Sequence, residues 1–167
     1  MVLTKQELIT SLHNEVRILM HLAGKIDPNQ LDYRPGPKQR STIELLRYLT
    51  VMGPELIAHI QAGVFDMPKW EAALAGVANA GLDELLASIQ AQPQRYAELI
   101  GAFSEADLRS EVEMFFRSGS RGSLLVNIVL SGCAAYRAQL FLYLKACGRE
   151  ELGTMNLWAG ADAAAAA

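Results

Sequence analysis

The chain is poor in the residues from which reactive sites are usually built. Its 167 residues include three histidines and two cysteines. Cys133 and Cys147 fall within one apolar run. If that run is a helix, they stand about 21 Å apart, beyond the roughly 7 Å Cα separation a disulfide tolerates. Unpaired thiols suit a reducing compartment, so a cytoplasmic protein is expected. Basic charge is also scarce: 15 Lys and Arg face 18 Asp and Glu, the net charge is −3 and the pI is near 5.6. That leaves no electrostatic footprint for nucleic acid. The opening MVLTKQELIT lacks a signal-peptide pattern. Asn127, Arg137 and Gln139 interrupt the longest apolar stretch, so no membrane partner is expected. There is no Ser-His-Asp order, no Gly-rich phosphate loop and no metal-type Cys-Cys spacing.

What is present is a large apolar fraction, 51%, enough for one substantial core. We expect an all-α domain over residues 1–160 and a low-complexity, alanine-rich tail over 161–167. Thr4 and Glu7 form a capping box before a first helix over 5–23. Residues 25–40 hold three prolines and a glycine, which predicts a long loop of the kind that often lines a site. Ser41 and Glu44 form a second capping box. The helix behind them, ending near Gly63, contains Pro54, which predicts a continuous but kinked helix. Residues 64–81 are expected to be a flexible connection. Asp83 is expected to cap a third helix, residues 84–102, bent at Pro93. Ser104–Ser110 is expected to be a polar turn, and Glu111–Phe116 a short extended piece.

The fourth helix, Ser123–Gly148, organises the rest. At 100° per residue it carries one stripe, Leu125, Ile128, Gly132, Tyr136, Gln139 and Tyr143, and an apolar back at Leu130, Ala134 and Phe141. A helix apolar on nearly all sides is buried on more than one. The back is a candidate homodimer face, or else it is covered by helix three or by the tail, which carries Trp158 and is expected to fold back on the bundle. Four amphipathic helices with long connections between one and two and between two and three predict a four-helix bundle.

Three stretches resemble the DinB/YfiT-like superfamily. Leu31–Leu49, LDYRPGPKQRSTIELLRYL, is similar to its loop and second helix. Gly132–Leu140, GCAAYRAQL, followed by YLKACG, is similar to its fourth-helix motif, and Asn156–Gly160, NLWAG, to a tail found in some members. The resemblance implies a four-helix bundle, often dimeric. It implies a divalent metal, commonly nickel or zinc, held by one histidine on helix two and two, four apart, on helix four. Active members are transferases or isomerases dependent on a low-molecular-weight thiol. Carried over, the ligand positions fall on Tyr48, Gly132 and Tyr136, none of them histidine, so neither that metal nor another cofactor is expected.

In place of a metal site the sequence offers a nook: Tyr48 and Tyr136 facing one another, open space at Gly132, and Gln139 one turn on. This is either a small-molecule pocket or a repacked core whose phenols bond to neighbours or water. If helices one and two pack side by side and antiparallel, His13 lies near Met52 and Glu55, His59 near Gln6, and Arg17 level with Tyr48, able to meet an anionic ligand. His13, His21 and His59 then do not converge on a metal. Cys133, beside Gly132, is expected to be a buried inert thiol rather than a nucleophile. The expected function is a non-catalytic small-molecule-binding or dimeric scaffold. The alternative is a thiol-dependent transferase or isomerase with a displaced site.

Overall fold

A computed structural model describes residues 3–115 and 117–163. Four long helices form the bundle: α1 (Lys5–Ala23), α2 (Thr42–Ala62), α4 (Leu82–Gly101) and α6 (Arg121–Ala146). Between them lie α3 (Met67–Gly76), the one-turn α5 (Glu105–Arg109) and an antiparallel hairpin, β1 (Glu111–Met114) with β2 (Arg117–Ser120). Both expected capping boxes are present, and a third joins Ser104 to Asp107, turning the expected polar turn into helix. The capping assigned to Asp83 is not found: Gly81 occupies the N-cap of α4. The segment expected to be a flexible connection contains α3, because Asp66 caps Lys69 N–H and Pro68 sits in the first turn, both helix-starting features. Phe116 and the alanines from 164 onward lie outside the described residues.

Successive helices α1 and α2 are not the packed neighbours their order suggests. Each packs on α4 and on α6, which places them diagonally. The loop over 25–40 is long enough to cross the end of the bundle, so nothing forces adjacency. His13 consequently meets α4, its Nε2 lying 2.8 Å from the Pro93 carbonyl oxygen, and not Met52 or Glu55.

Pro54 leaves α2 continuous but removes the N–H that would bond the Thr50 carbonyl. The side chain of Gln92, from α4, replaces it: Nε2 donates to the Leu49 oxygen at 2.8 Å and the Thr50 oxygen at 3.2 Å. Tyr96 then donates to Gln92 Oε1 at 3.1 Å and lies 4.0 Å from Cys133 Sγ on α6. Gly53 makes this approach feasible, since a Cβ there would overlap the Tyr96 hydroxyl. Gln92, Tyr96 and Cys133 are all buried, so a polar chain joins three of the four helices within the apolar core.

α6 is one continuous helix whose Leu125–Leu130 segment is wound as π-helix. Ser120, not Ser123, is its N-cap. A π turn admits about one extra residue relative to α-helix, and the buried stripe moves by that amount. The buried positions are Leu124, Leu125, Val129, Cys133, Arg137, Leu140, Tyr143 and Leu144. Val129, Cys133, Arg137 and Leu140 lie one residue beyond the regular wheel, while Tyr143 stays where the wheel put it. Gly132, Tyr136 and Gln139 become half-buried shoulders. Arg137, one of the polar interruptions of the apolar run, is 4% exposed and pairs with Glu15 of α1 at 2.6 Å. Its Nη1 also donates to the Leu157 carbonyl, fastening the tail. The tail does fold back, with Met155–Ala159 packed on α1, although Trp158 itself is 68% exposed. By length and mean hydropathy (1.4 over its most apolar window) α6 is sufficient to cross a membrane, despite its polar interruptions, and 33% of that window is buried.

The role of Gln92 is testable by a double-mutant cycle. Gln92→Leu is expected to lower unfolding free energy by about 1–3 kcal/mol, the cost of stranding buried carbonyls. In a Pro54→Ala background, which restores the N–H, the same change should cost measurably less by urea unfolding.

Candidate functional site

α2 and α6 diverge over a cavity of about 420 Å³. α2 contributes Tyr48, Met52 and Leu56 at successive turns. α6 contributes Asn127, Ile128, Ser131, Gly132, Ala135 and Tyr136, and Phe115, in the hairpin turn, closes one end. The one-residue slip in α6 is what brings Gly132 and Tyr136 to this edge instead of the core centre.

Tyr48 and Tyr136 meet edge to face, with ring centroids 4.9 Å apart at 64°. Trp70 of α3 stands behind Tyr48 at 6.0 Å and 74°. Burial, and then the neighbouring Tyr136 phenol, push the Tyr48 pKa above its ordinary value, and Arg40 only partly offsets this. Tyr48 is therefore a neutral phenol at physiological pH. Its ring carries the Arg40 guanidinium, whose carbon lies 3.9 Å from the ring centroid.

The space expected at Gly132 is narrower than the sequence suggests. A Cβ there would lie 3.4 Å from both the Sδ and the Cε of Met52, so the Met52 thioether packs against the bare backbone. Gln139 is not part of the cavity lining. Its Nε2 donates to the Tyr143 hydroxyl, which donates to the Arg40 carbonyl at 2.9 Å. Gln139 thus positions the strand of chain carrying Arg40 and does not face a ligand. Arg17 donates to the Ala159 oxygen at 2.9 Å, holding the tail, and is not among the residues lining the cavity.

The histidines stay apart. His21 Nε2 bonds Asn156 at 3.0 Å. His59 is 2% exposed and stacks on Phe65 at 4.5 Å. Its Nδ1 accepts from Asp66 N–H at 3.3 Å, and its Nε2 has no hydrogen-bond partner among the described residues. Burial lowers the His59 pKa, keeping the ring neutral. Among the described residues no three His, Cys, Asp or Glu side chains gather closely enough to hold a metal ion. Burial pushes the Cys133 thiol up to about 12, which leaves it protonated and unreactive. Sequence reasoning missed Phe115, Trp70 and Arg40. The lone tryptophan amid small residues of 64–81 was the available signal for Trp70. Phe115 depends on a turn at φ 52 that no local pattern announced.

No protein-family model matches the chain, and no curated protein matches it by sequence. Solved structures do match by fold. One is a DinB-like protein, YjoA, from Bacillus subtilis, 16% identical, with 88% of this chain and 96% of that one aligned at a TM-score of 0.66. Another is DfsB, described as a sibling lethal factor precursor, 18% identical, covering 87% and 97% at a TM-score of 0.66. The chain has the DinB-like all-α fold.

Because the folded-state pKa of Tyr48 lies above the unfolded value of about 10, its contribution to stability is whole below that pH. It declines as pH rises further, where only the unfolded chain ionises. Urea unfolding between pH 9 and about 11 should show falling stability with a shallower slope in Tyr48→Phe. Some slope should remain, because burial raises Tyr96 as well.

Proposed function

We propose that this DinB-like bundle is a non-catalytic small-molecule-binding protein that receives an uncharged, largely apolar ligand between α2 and α6. The observation that carries this reading is the cavity of about 420 Å³ whose lining, among the described residues, includes no carboxylate, imidazole or thiol. Apolar walls with a few polar groups are the usual make-up of a ligand pocket. The polar groups here are two phenols, the Ser131 hydroxyl and the Asn127 amide. They can orient a ligand by hydrogen bonds, but a phenol whose pKa is raised is a poor general base near neutral pH.

The residues at the metal-ligand positions that the resemblance implies do not suit nickel or zinc. Gly132 supplies no side-chain donor, and protonated phenols are weak ligands beside imidazole or thiolate. No metal-assisted step is assigned to them. A thiol-dependent transferase would need its activating group elsewhere, and Cys133 is too buried to serve. The free thiols of Cys133 and Cys147 support placement in the cytoplasm.

A second reading, a homodimeric scaffold, is supported by the outer face of α6. Leu142 is 62% exposed, and Leu130, Ala134 and Phe141 are half-buried. Sedimentation velocity at micromolar concentration should then give the mass of a dimer, weakened by Leu142→Glu. A monomer removes this reading.

Binding is tested by a saturation-transfer NMR screen of neutral aromatic fragments against untagged protein. Hits are expected to lose binding in Gly132→Leu, which fills the cavity, and to keep it in Leu142→Gln. A screen without hits, or elemental analysis finding stoichiometric nickel or zinc, overturns the proposal.

A further inference from the structure

On the far side of Tyr48 lies a second recess of about 290 Å³. Two guanidinium groups, Arg40 and Arg47, border it, Tyr48 forms the partition from the first cavity, and Leu74 and Val77 give it an apolar wall. Its one acidic neighbour, Glu44, is already committed. Glu44 accepts the Ser41 N–H at 2.7 Å and pairs with Arg34 at 3.2 Å, and these contacts hold its pKa down, the Ser41 backbone bond foremost.

Among the described residues no carboxylate forms an ion pair with Arg40 or Arg47. Arg47 spends Nε and Nη2 on the Ala80 carbonyl at 3.2 and 3.0 Å, which fixes its fork at the recess and leaves Nη1 over. Arg40 lies on the Tyr48 ring and within 5.9 Å of the Tyr136 ring centroid. Stacking uses the flat face of a guanidinium and leaves its in-plane N–H donors directed outward. The Arg40 backbone is held as well, by the Tyr143 hydroxyl. Two guanidinium groups without an ion-pair partner among the described residues, a single carboxylate already held by Ser41 and Arg34, and an apolar wall at Leu74 and Val77 suit a small anion attached to an apolar body.

We propose that this recess binds a small organic monocarboxylate, its carboxylate taken by Arg40 and Arg47 and its apolar part laid against Leu74 and Val77. A carboxylate matches the planar two-pronged geometry of arginine, and the recess is small beside typical drug-sized pockets. This site is distinct from the α2–α6 cavity and does not rest on the function proposed for it.

The test is a calorimetric and ¹H–¹⁵N NMR titration of the full chain with sodium benzoate, benzamide and inorganic phosphate. Benzoate is expected to bind saturably at one site, to shift the amides around Arg40 and Leu74, and to weaken with added salt. Benzamide, its neutral isostere, should bind at least about tenfold more weakly, the scale of losing a charge-assisted contact. Inorganic phosphate should also bind more weakly, because it has no apolar part to lay against Leu74 and Val77. Arg40→Gln and Arg47→Gln should each weaken benzoate by a similar factor. Arg40→Lys, which keeps the charge without the fork, should recover only part of it. Gly132→Leu should leave benzoate binding unchanged. Equal binding of benzamide overturns the proposal, as does phosphate competing as well as benzoate or indifference to both arginine substitutions. Loss of benzoate binding in Gly132→Leu overturns it too, by moving the acid to the other cavity. Because Arg40 is exposed and circular dichroism reports the fold of each variant, a loss of binding is separable from a loss of structure.

Discussion

The Gln92 amide does what the backbone of α2 cannot. A proline inside a long buried helix leaves a carbonyl without its partner, and an orphaned carbonyl in an apolar core is costly. Gln92 fills that vacancy from a neighbouring helix, and its own oxygen is satisfied by Tyr96. Tyr96 reaches it only because residue 53 has no side chain. The same hydroxyl stands next to Cys133 of α6. Apolar side chains tolerate small slides past one another; hydrogen-bonded groups do not. This chain therefore fixes the rotation and height of α2, α4 and α6 with respect to one another, and so the face that α2 shows to α6.

The two recesses follow from that arrangement. With α2 set, Tyr48, Met52 and Leu56 point toward α6 at consecutive turns. The π segment of α6 then rotates its lower half so that Cys133 and Arg137 occupy the core while Gly132 and Tyr136 move to the shoulder. Arg137 is tolerated there because Glu15 and the Leu157 carbonyl meet it; a buried guanidinium without them would not be. Tyr48 ends as a shared wall, lining a mainly apolar cavity and also the recess bordered by Arg40 and Arg47.

Much of the architecture was legible from local signals. Thr4 with Glu7 and Ser41 with Glu44 announced helix starts because capping boxes act within four residues. Four amphipathic helices announced a bundle, and the pairing of Tyr48 with Tyr136 followed from the resemblance of Leu31–Leu49 and Gly132–Leu140 to a known bundle. Other features had no local signal. α3 looked like a linker because its small residues bury little of their own surface. The diagonal placement of α1 and α2 was hidden because a loop of this length permits either neighbour. Gln139 belonged to the expected nook on a regular wheel, but it bonds Tyr143, one turn on along the same stripe, and is not among the residues lining the cavity.

The sequence alone determined the four long helices, their approximate ends, the all-α class and the scarcity of metal-ligating or nucleophilic groups, since these depend on residue type and on neighbours a few positions away. The tertiary structure decided which helices touch, that Met52 fills the space at Gly132, that Arg137 is a core residue and that Arg40 lies on Tyr48. Those outcomes turn on the phase of one helix against another. Phase is set by packing and by hydrogen bonds between residues such as Gln92 and Leu49, distant in sequence, to which no local pattern is sensitive.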